Sequence, residues 1–259
     1  MDCLKKKLIF ITGAPRSGTS LLAKIIDSHP DIALLMENIF GNRRRHWMRA
    51  EFWNSSQQLK KELKKTYSRF KEPVMGNKVV TPDVWDAGDI FQFCSSFQSF
   101  KIIYIVRDPK EVAFSRLKRE PEDFLKVYSI EAQKNILLDF RSRFHTYISS
   151  WRQSIENYWK LKDAVEDKIK LVYYEDFCQD FENHIRDIFL FLEIDFSEKV
   201  LNWFALPHHN QNGHLQKNLK YPDTGIITPS VSNEKTPIQL HEALELIKWQ
   251  YGLWKNRNL

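Results

Sequence analysis

The residues best suited to chemistry lie in the loop 13–20, which reads Gly13, Ala14, Pro15, Arg16, Ser17, Gly18, Thr19, Ser20. An apolar run precedes it and a stretch with apolar residues at Leu21, Leu22, Ile25 and Ile26 follows, so it should join a strand to a helix. In that context the backbone N–H groups and the helix N-terminus form a nest for a phosphate. The nucleoside-triphosphate version of such a loop needs G-x-x-x-x-G-K-[ST]. Here the spacing of Gly13 and Gly18 is kept, Thr19 stands at the lysine position, and the cation is Arg16.

Phosphoryl transfer from a nucleoside triphosphate uses a metal ion to offset several charges. A migrating sulfuryl group carries fewer, so a loop with one or two side-chain cations can stabilise a leaving 5′-phosphate without magnesium. A second group with anion-binding chemistry is Arg107, at the end of the apolar run 101–106, with Ser115 two helical turns later. The two can converge on one anion; a surface pair of Arg107 with Asp108 is the other reading. Attack by an acceptor hydroxyl or amine also needs a base. Glu37, just past a second apolar run at 32–36, is the candidate, with His46 in reserve.

The elements that must position these groups alternate. Strands are expected at 8–12, 32–36, 74–80, 101–106 and 169–173, and helices at 20–28, 59–70, 82–97 (with Pro82 in the first turn), 129–163 and 239–254. This pattern predicts an α/β fold: a central parallel sheet with helices on both faces, a three-layer sandwich whose ligand crevice lies at the carboxyl ends of the strands. The 259 residues are expected to form one domain. Segment 207–237, rich in Asn, His, Gly, Ser and Pro, reads as a long loop or lid.

Lys and Arg number 39 against 33 Asp and Glu, a net charge of +6 that favours anionic ligands without choosing among them. Three cysteines without a CxxC pair suggest neither a disulfide framework nor a structural zinc site. The apolar run at 8–12 is too short for a signal-peptide core or a membrane span, so a cytoplasmic protein without membrane contact is expected.

The segment PRSGTSLL, followed by a helix and His29-Pro30, resembles the 5′-phosphosulfate loop of sulfotransferases that use 3′-phosphoadenosine-5′-phosphosulfate (PAPS), in particular the PRSGT branch with tyrosylprotein and many bacterial enzymes. The resemblance implies a P-loop NTPase-like fold, with PAPS as donor, 3′-phosphoadenosine-5′-phosphate (PAP) as product and no metal. It assigns Gly13, Pro15, Arg16, Ser17, Gly18, Thr19 and Ser20 to the 5′ end of the nucleotide, and Arg107 and Ser115 to its 3′-phosphate. Glu37 stands at the distance from Arg16 of that branch's catalytic base. Lys78 is similar to the family lysine that approaches the transferred group, and Arg16 also acts on the leaving oxygen. The run 169–177, with Tyr-Glu-Asp at 174–176, is similar to another family segment, making Tyr174 a candidate for the adenine site or a core tyrosine.

The acceptor is expected to be a small molecule or sugar, with a peptide also open; the basic stretch 42–47 could hold an acidic one or be a solvated face. Two alternatives remain at this level. One is a P-loop kinase with a degenerate loop, for which Asp108 would imitate the metal-binding acid. The other is a non-catalytic anion- or nucleic-acid-binding protein using Arg43, Arg44 and Arg45, although acids are interspersed among the basic residues and no nucleic-acid partner is expected.

Overall fold

The computed structural model describes residues 3–37, 56–124, 140–209, 215–216, 251–252 and 255. Seven strands and seven helices within them carry the site: β1 (Lys7–Thr12), α1 (Thr19–Asp27), β2 (Ile32–Met36), α2 (Ser56–Tyr67), β3 (Val74–Lys78), α3 (Ala87–Cys94), β4 (Ser99–Val106), α4 (Pro109–Phe124), α5 (Phe140–Val165), β5 (Ile169–Tyr173), α6 (Tyr174–Gln179), α7 (Phe181–Leu192), β6 (His208–His209) and β7 (Leu215–Gln216). The first five strands form one sheet in the order β2-β3-β1-β4-β5. Every neighbouring pair in it is parallel.

Side chains alternate across a strand, so a sheet covered on both faces is apolar at most positions of its strands. In β1, Leu8 and Phe10 enter one cluster with Ala33, Leu35, Ile102 and Tyr104, covered by Leu63, Ile90, Phe93, Trp151 and Leu161 from α2, α3 and α5. The alternate residues Ile9 and Ile11 enter the opposite cluster with Leu34, Ile103 and Ile105, covered by Leu22, Ile26, Phe177, Ile185 and Phe189 from α1, α6 and α7. This is the expected three-layer α/β sandwich.

Strands β2 and β5 fall where the sequence places them, and the other strand and helix ends shift. The helix expected over 82–97 begins only at Ala87. Asp86 accepts a hydrogen bond from Asp89 N at 2.9 Å, and Asp86 N in turn donates to the Asp89 carboxylate at 3.2 Å, a capping box that sets the start. Pro82 lies in a turn before it, following a cis peptide bond. Helix α2 spans 56–67 rather than 59–70, and α5 spans 140–165, residues 129–139 of its expected range being outside the described set. Segment 207–237, read as a loop, contains the antiparallel pair β6 and β7, with His208 opposite Gln216. Most of that segment, most of 239–254, and His46 with the basic stretch 42–47 lie outside the described residues. No described helix is long and apolar enough to cross a membrane.

Candidate active site

In parallel strands every carboxyl end faces the same edge, and β1 has β3 on one side and β4 on the other, so the crevice opens where the chain changes direction. Each strand of the main sheet delivers a predicted site residue there. Gly13 follows β1, Glu37 follows β2, Lys78 ends β3, Arg107 follows β4, and Tyr174 follows β5 as the first residue of α6.

The loop 13–20 is built by close approach. Gly13 has φ 152°, and a Cβ on it would lie 2.1 Å from the carbonyl oxygen of Ile105. Gly18 has φ 93°, and a Cβ there would lie 2.4 Å from the ring of Tyr174. Both positions therefore require glycine. Ser17 N donates to Ala14 O at 3.1 Å, closing the turn, and Gly18 caps α1 without any side-chain hydrogen bond. The first N–H groups of a helix have no intrahelical partner, so this end of α1 favours an anion. Within the cradle Ser17 Oγ is buried and has no hydrogen-bond partner, a polar group awaiting an acceptor such as a phosphate oxygen. Thr19 is buried at the helix start, Ser20 is exposed, and Pro15 is half-buried.

Arg16 has φ 73° and Glu37 φ 59°, left-handed conformations that cost a non-glycine residue about 1 kcal/mol or more. Among the described residues only Glu166 and Glu193 share this feature; Glu193 is the left-handed residue closing α7, and Glu166 follows α5 directly. Arg16 and Glu37 follow no helix, so their strain has no capping explanation and marks the crevice.

Arg16 Nε donates to Ser115 Oγ at 3.0 Å, and Arg107 Nη1 donates to Arg16 O at 3.2 Å. The two motifs, 91 to 99 residues apart, thus form one cationic surface. Arg107 is 5% exposed. Its guanidinium lies 4.7 Å over the Tyr174 ring and 3.9 Å from the Glu111 carboxylate. Tyr174 is buried between this guanidinium and Gly18, so it touches both motifs.

At the ends of β3 and β2, Lys78 Nζ donates to Glu37 Oε1 at 2.5 Å. The lysine side chain is 3% exposed and the glutamate side chain 53%. Register explains the meeting: Met36 pairs with Lys78, and Glu37 N donates to Lys78 O at 2.8 Å, extending the ladder by one residue. The next segment is tied to the loop by Thr81 N donating to Gly13 O at 3.0 Å, and to α5 by Asn157 Nδ2 donating to Thr81 Oγ1 at 2.6 Å.

Asp108 is committed elsewhere than the kinase reading requires. Its Oδ1 accepts from Lys110 N at 2.7 Å and Glu111 N at 3.3 Å, which makes it the N-terminal cap of α4. Among the described residues no cluster of three or more His, Cys, Asp or Glu could hold a metal ion. Three residues around Arg107 escaped the sequence reading: Glu175 and Trp151, which bind the N–H and the carbonyl of the peptide group that follows it, and Tyr251, which touches both. Glu175 sits inside the Tyr-Glu-Asp run and was legible; Trp151 and Tyr251 carry no local signal.

A family model described as a sulfotransferase domain matches residues 6–206. The protein-tyrosine sulfotransferase of Drosophila melanogaster is 26% identical over 219 residues, covering 75% of this chain and 40% of that protein. Protein-tyrosine sulfotransferase 1 of Danio rerio is 24% identical over 212 residues, covering 75% of this chain and 55% of that one. The chain thus spans about half the length of these curated relatives. Among solved structures, the mouse sulfotransferase SULT7A1 complexed with PAP superposes with a TM-score of 0.57 at 17% identity, covering 94% of this chain and 82% of that one. The sulfotransferase STF9 of Mycobacterium avium gives 0.58 at 14% identity, covering 96% and 76%. Both likenesses concern the fold.

Proposed function

Because this chain belongs to the sulfotransferase domain family, we propose that it transfers a sulfuryl group from PAPS to a hydroxyl acceptor, with Glu37 as general base. The observation that carries the reading is the Lys78–Glu37 pair, set at the carboxyl ends of β2 and β3, with β3 beside the strand β1 that leads into Gly13–Ser20. The residues fit the donor. The glycine-lined cradle, the free N-terminus of α1 and the unpartnered Ser17 hydroxyl suit a 5′-phosphate. Arg107 and Ser115, joined through Arg16, suit the 3′-phosphate.

Bound there, PAPS supplies the sulfuryl group and a phosphate leaving group. Glu37 takes the proton from the attacking acceptor oxygen, for which its half-exposed carboxylate is accessible from the crevice. Lys78 and Arg16 place positive charge where negative charge collects on the leaving oxygen, and being fixed beforehand they need little reorganisation. The 2.5 Å contact turns the Glu37 carboxylate toward Lys78, so base and cation are held in one geometry before the acceptor arrives.

For the acceptor, the names of the curated relatives support a tyrosyl hydroxyl of a peptide ahead of the small molecule or sugar expected from the sequence. The test is calorimetric titration without metal with PAP, adenosine 5′-phosphate and ATP, followed by transfer assays on tyrosine peptides and on sugars. Binding of PAP that needs the 3′-phosphate, with transfer to the peptide, is expected. Preferential binding of ATP with magnesium would overturn the donor assignment; transfer to sugars alone would overturn the acceptor.

A further inference from the structure

Arg107 sits just where the sheet stops supporting it. The β4–β5 ladder ends at the pair Val106 and Tyr173, so the peptide group between Arg107 and Asp108 lies beyond its last pair. Side chains replace the ladder. The carbonyl of Arg107 accepts from Trp151 Nε1 at 2.9 Å, and the following N–H, of Asp108, donates to Glu175 Oε1 at 2.9 Å. The guanidinium itself rests on Tyr174, the neighbour of Glu175.

Both replacements meet at one residue from the far end of the chain. The Tyr251 hydroxyl donates to Glu175 Oε2 at 3.2 Å, and its ring stands edge-on to Trp151, with centroids 5.8 Å apart at 78°. Lys255, four residues on, donates to the Asp176 carboxylate at 2.6 Å, a second tie beside Glu175. Tyr251 lies outside the segment 6–206 that the family model matches. The arrangement is costly: burial raises the Glu175 carboxyl above its ordinary value, the nearby Asp108 carboxylate adds to the rise, and the Asp108 N–H and Tyr251 hydroxyl only partly offset it. A group that only filled space here would be apolar; a carboxylate supplies two acceptors in fixed directions.

We propose that Glu175 and Tyr251 are positioning residues for Arg107, so that the C-terminal turn carrying Tyr251 is a working part of the site that recognises the 3′-phosphate of the donor. This rests on the reading of Arg107 as the ligand of that phosphate. An arginine fork recognises an anion only in the right orientation, and the brace sets the backbone from which the fork projects.

The test compares affinities for PAP and adenosine 5′-phosphate, whose ratio reports the 3′-phosphate alone, in the full-length protein and its variants, with thermal melting alongside. The wild type should favour PAP, and Arg107→Ala should bring the ratio close to one. Glu175→Ala should lower the ratio by about tenfold and Tyr251→Phe by about threefold, the size of losing a charged or a neutral hydrogen bond. Glu175→Gln should keep it, because the amide oxygen still accepts from Asp108 N. If Glu175→Ala fails to fold, Tyr251→Phe and Glu175→Gln carry the test. A wild-type ratio in either folded Glu175→Ala or Tyr251→Phe, including equal loss for both ligands, overturns the proposal and leaves Arg107 in place. Equal affinities in the wild type, or discrimination that survives Arg107→Ala, overturn the reading of Arg107 and the brace with it.

Discussion

Lys78 and Glu37 lie 41 residues apart in sequence and 2.5 Å apart in space, a nearly inaccessible ammonium group paired with a half-exposed carboxylate. Removing the base while keeping its shape separates its two roles. Glu37→Gln is expected to bind PAP within about threefold of the wild type and to lose turnover by about 10²-fold or more, as for other general bases. Unchanged turnover would move the base elsewhere.

Lys78→Met leaves the Glu37 carboxylate without its partner and takes a cation from the leaving side. Turnover should fall by about 10²-fold or more, the scale of removing one preorganised electrostatic contact, with a smaller change in donor affinity. Single-turnover rates alongside calorimetry check the split; loss of affinity alone would make Lys78 a binding residue.

Ser115→Ala removes the hydroxyl that holds Arg16 Nε at 3.0 Å. A lost hydrogen bond of this kind is worth about 1 kcal/mol, so PAP affinity should drop about fivefold. The same titration reads it, and an unaltered affinity would detach Ser115 from the anion surface.

Gly18→Ala sets a Cβ 2.4 Å from the Tyr174 ring at φ 93°. The clash and the left-handed backbone together should destabilise the protein by about 2 kcal/mol or more, and displacement of Tyr174 should weaken PAP binding as well. Chemical denaturation and titration of the same sample test both; a variant as stable as the wild type would show that the loop can relax.

Far from the crevice, His209 Nδ1 lies 2.8 Å from Asp27 Oδ1, and Asp27 also accepts from Leu34 N at 2.6 Å and from His209 N, tying β6 to α1 and β2. Burial alone would lower the His209 imidazole. Its hydrogen bond and charge interaction with Asp27, helped by Glu72 and opposed by Arg69, outweigh burial and raise it above its ordinary value. A raised histidine stabilises the fold fully below its unfolded value of about 6.5, and that contribution fades as the pH climbs through the folded value. The stability gap between wild type and His209→Gln should therefore be widest near pH 6 and narrow toward pH 9 in denaturant titrations. A gap that widens with pH would show that the imidazole is held neutral.

Much of this protein was legible locally. Apolar runs mark β1, β2, β4 and β5, because a strand buried on both faces is mostly apolar, and the glycines of loop 13–20 mark the cradle, because only they allow its approach to Ile105 and Tyr174. Glu37 and Arg107 could be singled out as candidates because each lies just past the end of an apolar run, where a parallel sheet opens its crevice, and Lys78 through its resemblance to the family lysine. The start of α3 was legible too, in Asp86 and Asp89, but a proline four residues upstream gave a competing signal.

Tertiary structure alone decided which of those candidates touch. Strand order β2-β3-β1-β4-β5 is a set of non-local pairings with no local signature, yet it is what aligns Met36 with Lys78 and so brings Glu37 to the lysine. The bond from Arg16 to Ser115 and the brace of Trp151, Glu175 and Tyr251 on Arg107 arise in the same way, from packing between elements distant in sequence. Periodicity records which face of an element is buried; the partner it is buried against is settled only when the sheet and its covering helices assemble.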